Sequence, residues 1–88
     1  MKIYIVRKDV YDNHFFEGPE FRESPIISVY SSKEKAIEEC KALAFTNTSA
    51  EESVSLHIND KGLPVISCHM LDDSWEEIFF VEEWEIKE

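Results

Sequence analysis

Apolar residues recur at helical spacing in one segment of this chain only. Ala36, Ile37, Cys40, Leu43 and Ala44 stand at i, i+1, i+4, i+7 and i+8, while Glu34, Lys35, Glu38, Glu39 and Lys41 take the opposite side. Elsewhere the apolar residues alternate by two or form short β-branched and aromatic runs, the pattern of strands. One amphipathic helix among several strands implies an α+β fold: a mainly antiparallel sheet of about five strands with the helix packed on one face. Eighty-eight residues fit a single domain, 1–88, and a hydrophobic content of 43% can supply its core.

The expected order is β-β-α-β-β-β. Lys2 to Val6 forms the first strand and Ile26 to Tyr30 the second. Between them, Asp12 to Pro25 carries Asn13, Gly18, Pro19 and Pro25 and reads as a long loop holding Phe15, Phe16 and Phe21. Ser31 is placed to cap the helix, with Glu34 completing a capping box, and Thr46-Asn47-Thr48-Ser49 to end it near Phe45. A meander follows: Ser53 to Ile58, a turn at Asn59-Asp60-Lys61-Gly62, Leu63 to Leu71, a turn at Asp72-Asp73-Ser74, and a long strand from Trp75 to Ile86. In that last strand Ile78, Phe80, Trp84 and Ile86 share one face and Phe79 and Val81 the other, with Trp84 expected in the core.

Little in the sequence points to catalysis. His57, Cys68 and His69 could meet across the hairpin, but Cys68 and His69 are adjacent in a strand and point to opposite faces, short of the four ligands of structural zinc. Gly18 and Gly62 are the only glycines, too few for a phosphate-cradling loop. No catalytic residue, metal or cofactor is therefore expected. No apolar run approaches a membrane span, the apolar start is too short for a signal peptide, and Cys40 and Cys68 lack CxxC spacing. A reduced, cytoplasmic setting is the expectation.

Charge carries the functional signal. Asp and Glu number 19 against 9 Lys and Arg, a formal −10, which disfavours direct contact with nucleic acid or an anionic membrane. Between Asp72 and Glu88 stand eight acids opposed by Lys87 alone, so 17 residues hold −7 of the total. One reading is solvation and protection of a sheet edge. The sharper one is a face for a basic protein partner, built from Asp72, Asp73, Glu76, Glu77, Glu82, Glu83 and Glu85 with Trp75 and Phe79 interleaved. Arg on the partner would bind these carboxylates in place of phosphates.

The step Val29-Tyr30-Ser31-Ser32, followed by Lys35-Ala36-Ile37, resembles that of small, largely uncharacterised bacterial and phage accessory domains. In them a strand leads into a "YSS"-capped helix, and an aromatic, acidic strand closes the fold. The resemblance covers about ten residues and the order of elements, and carries over no catalytic residue. It implies a cytosolic accessory protein of a bacterial host, of the anti-restriction or anti-CRISPR type, mimicking nucleic acid toward a nuclease or CRISPR effector. Two further readings stay open: an immunity or antitoxin-like protein neutralising a basic toxin, and a homo-oligomeric domain using a sheet edge and the Phe15-Phe16 loop.

Overall fold

In the computed structural model the described residues are 1–14, 18–46, 52–70 and 75–87, with side chains described over 1–11, 24–46, 54–69 and 76–87. They form six strands and one helix: β1 Lys2–His14, β2 Gly18–Glu23, β3 Ile26–Tyr30, α1 Lys33–Thr46, β4 Glu52–Ile58, β5 Pro64–Met70 and β6 Trp75–Glu85. All pairings are antiparallel in one sheet of order β2-β1-β6-β5-β4, with β3 also on β1. The α+β class holds, with one strand more than expected. β1 runs on to His14 and turns back as β2, so the segment assigned to a loop is largely a hairpin. Gly18 and Pro19 are tolerated there because β2 begins with them at a sheet edge, where no ladder bond is lost. Phe15 and Phe16 lie outside the described residues.

β6 is central, paired along its length with β1 from Lys2↔Glu85 to Asp12↔Trp75, and with β5 from Val65↔Phe80 to His69↔Glu76. Alternation puts Val6 and Val10 of β1, Phe79 and Val81 of β6, and Ile66 and Cys68 of β5 on the face that α1 covers. The helix meets them with Ala36, Cys40 and Ala44, all fully buried. Three small side chains one turn apart let the helix axis approach the sheet closely, and Ile37 and Leu43 pack at the flanks. Leu63, just ahead of β5, is the largest fully buried side chain among the described residues.

One local signal resolves differently from expectation and a second as expected. The helix cap is Ser32: its Oγ accepts from Lys35 N at 3.3 Å, and its carbonyl accepts from Ala36 N. Lys35 thus holds the third helical position, so no capping box forms, and Glu34 instead accepts from the Ser32 hydroxyl. At the β4–β5 turn, Asn59 Oδ1 accepts from both Lys61 N and Leu63 N, its carbonyl accepts from Gly62 N, and Gly62 takes φ +76°. The turn is thereby pinned by one side chain and one glycine.

Candidate interaction surface

The acids of β6 divide between the two faces of the sheet. Glu77, Glu83 and Glu85 fall on the helix side with Phe79 and Val81; Glu76 and Glu82 fall on the open side with Ile78, Phe80 and Trp84. Each has a partner inside the fold. Lys2 Nζ lies 3.0 Å from Glu83, Arg7 Nη1 3.1 Å from Glu82 and Lys8 Nζ 3.6 Å from Glu77, while the terminal ammonium lies 3.3 Å from Glu85. Glu76 accepts from the Ser67 hydroxyl at 3.2 Å. Lys2, Arg7 and Lys8 come from β1, whose antiparallel register lays them diagonally opposite the β6 carboxylates. The hydrogen bond and charge of Lys2 hold the Glu83 carboxyl below the usual carboxylate range, with Lys61 and Lys33 adding to the same field.

On the open face the Arg7 guanidinium is a hub. It donates to Glu82 and, through Nη2, to the carbonyl and hydroxyl oxygens of Ser24 at 2.9 and 2.8 Å. The Ser24 hydroxyl donates onward to Asp9. Glu82 also accepts from the Trp84 indole at 2.7 Å. Trp84 itself is 52% exposed, which corrects its expected place in the core: it sits on the face that no second layer covers. Phe79 is corrected the other way. It is 3% exposed, under the helix, with the Lys8 ammonium 5.9 Å above its ring, and it cannot touch a partner. The side chain of Trp75, and Asp72 and Asp73 altogether, lie outside the described residues.

The register gathers a different set of acids. At the end of the sheet where β1 leads into β2, Val10 pairs with Glu23 and Glu77, Tyr11 with Phe21 and Glu76, and Asp12 with Glu20 and Trp75. Glu52 opposes Met70 at the same end. Six acidic residues thus share the last rows of the ladder with Lys8 and Arg22 as the neighbouring cations. At the opposite end, Lys2, Lys33 and Lys61 surround Glu83, and Lys33 Nζ donates to the Lys61 carbonyl. Beside them an open depression of about 300 Å³ is lined by Asn59, Lys61, Glu83 and Trp84 among others. Acids outnumber cations at the first end, whereas at the second the lysines stand among Asp60, Glu82, Glu83 and Glu85, a difference that no reading of β6 alone could reveal.

Candidate chemical groups stay apart. Cys40 and Cys68 are buried free thiols; burial pushes Cys40 up to about 11, away from a reactive thiolate. The Cys68 thiol donates to the Ala44 carbonyl. His57 and His69 sit four rows apart in the β4–β5 ladder, about 13 Å, and Cys68 is on the other face. Among the described residues no three His, Cys, Asp or Glu side chains are placed to hold a metal, and no helix is long and apolar enough to cross a membrane.

The chain matches, over residues 1–88, the model of a family described as a domain of unknown function, DUF7336, and belongs to that family. No curated protein and no solved structure matches it.

Proposed function

We propose that this member of the DUF7336 family is a non-catalytic interaction protein that docks on a basic protein partner through the acidic end of its sheet. The observation that carries the reading is the register, which stacks Asp12, Glu20, Glu23, Glu52, Glu76 and Glu77 at one end with Lys8 and Arg22 as the neighbouring cations among the described residues. Glu77, Glu82, Glu83 and Glu85 serve the fold first, because cations of the fold already pair with them, so the docking surface rests on Asp12, Glu20, Glu23, Glu52 and Glu76.

Charge of one sign held on a paired sheet costs little to organise on binding and steers a cationic partner from a distance. Residues opposite one another on neighbouring strands stand roughly 5 Å apart, and alternate residues along a strand roughly 6.7 Å. Both spacings are within reach of Arg side chains arrayed for a phosphate backbone. In its concrete form the protein is an inhibitor of phage or mobile-element origin, acting in the bacterial cytoplasm. It occupies the nucleic-acid groove of a nuclease or CRISPR effector.

The test is capture on the immobilised full chain from a bacterial lysate, at low and high salt and with duplex DNA as competitor. The reading expects a basic nucleic-acid-handling protein that is retained at low salt, released at high salt and displaced by DNA. Retention indifferent to both salt and DNA contradicts it.

A further inference from the structure

The two edges of the sheet are built differently. On the β1 side, β2 carries Pro19, Glu20, Arg22 and Glu23, β3 is preceded by Pro25, and both pairings are broken by register shifts, at Val10/Tyr11 and Val6/Arg7. Proline, charge and bulges are the devices that stop an edge from pairing with another chain. The β4 edge has no proline and no register shift, and its one charge is Glu52 at its first residue. Ser53 to Ile58 holds no charge and no proline, and its ladder with β5 runs without a shift. Among the described residues nothing pairs with its outer side. The helix packs on β1, β3, β5 and β6 and leaves β4 uncovered, so Leu56 and Ile58 are each 50% exposed.

The ladder fixes which backbone groups are free. Asn59 N donates to the Leu63 carbonyl, and Pro64, which has no N–H, stands opposite Ile58. Bonded and non-bonded pairs alternate in an antiparallel ladder, so Ser55 and His57 bond β5, while Val54, Leu56 and Ile58 turn N–H and C=O outward.

We infer that β4 pairs antiparallel with β4 of a second copy of this chain, centred on Leu56, to form one continuous sheet with both helices on the same face. Three features select a second copy as the occupant. The apolar pattern Val54, Leu56, Ile58 reads the same from either end, so each apolar residue meets an apolar residue across the seam. Ser53 to Ile58 is uncharged in a chain of −10, so the middle of the seam opposes no like charges, and Glu52 meets Asp60 of the second copy only at its two ends. Antiparallel pairing also sets the acidic end of each copy beside the end where Lys2, Lys33 and Lys61 gather in the other, and sends the two acidic ends to opposite poles.

Analytical ultracentrifugation of the full chain, with backbone hydrogen exchange, tests this. The wild type is expected at twice the 10.3 kDa chain mass, with Leu56 and Ile58 amides whose protection falls on dilution. Leu56→Pro removes an outward N–H without touching the β5 ladder, and Leu56→Lys adds a charge at the seam; both are expected to be monomeric with unchanged circular dichroism. A wild type that stays monomeric up to millimolar concentration overturns the inference. So does a dimer that Leu56→Lys leaves intact, and so does concentration-independent exchange at Leu56 and Ile58.

Discussion

Arg7 and Glu82 meet at 3.1 Å on the helix-free face of the sheet, and that contact redefines what the acidic strand is for. An acid-rich terminal strand invites a partner only if its charge is unspent. Here β1 returns a cation to Glu77, Glu82 and Glu83, and the terminal ammonium supplies one to Glu85, so this part of β6 behaves as half of an ion-paired ladder.

Neutralising Glu82 should therefore cost stability rather than only binding. Glu82→Gln leaves the part-buried Arg7 guanidinium with Ser24 as its remaining acceptor and weakens the tie to the Trp84 indole. A loss of about 1–2 kcal/mol is expected from chemical denaturation. Glu34→Gln, at an exposed helix position, should stay within about 0.5 kcal/mol of wild type.

Acid should weaken the fold partly through Glu83. Its carboxyl is held below the usual range by Lys2, so the folded state binds its proton less readily than the unfolded chain does. The stability this contributes is present above about pH 4.5 and fades as pH falls through the lower folded value. The melting temperature of Glu83→Gln should accordingly fall less steeply with acidification than that of the wild type. Parallel acid limbs would show that the Lys2–Glu83 pair contributes nothing.

The fold class was legible because its two periods are unambiguous: one stripe of 3.6 and several of two. What stayed hidden depends on which strand lies beside which. Asn13, Gly18 and Pro19 look like loop residues until β2 is seen at an edge, where glycine and proline cost little. Trp84 looks like core until the open face is seen to lack a second layer. The acids at 72–88 stand out in the sequence, yet the cations that answer them lie at the other end of the chain, and only the β1–β6 register brings the two together. The same register raises Asp12, Glu20 and Glu23, dispersed in the sequence, to the charged end of the sheet.

The helix cap offers a test of one-residue accuracy. Ser32→Ala should cost about 1 kcal/mol, by loss of the acceptor for Lys35 N, whereas Ser31→Ala should be near neutral. Thermal denaturation of the two variants side by side distinguishes them, and the reverse order would restore Ser31 as the cap.

Cys40 and Phe79 report on the core. Phe79→Ala should destabilise by about 3–5 kcal/mol, the range for truncating a buried aromatic. Cys40, buried and with its thiol raised to about 11, should resist alkylation at neutral pH and react at the rate of global opening. Rapid labelling in the native state would show that the helix does not seal that face.

The proposed role stands on the acidic end of the sheet, and two triple variants of equal charge address it most directly. One carries Asp12→Asn, Glu20→Gln and Glu23→Gln at that end; the other carries Glu34→Gln, Glu38→Gln and Asp60→Asn on the helix and the β4–β5 turn. Each changes the net charge by three, so nonspecific attraction to a basic protein weakens alike in both. In low-salt capture of the basic partner, the first variant should lose retention and the second should keep it. Equal retention by the two variants would contradict a docking site at that end.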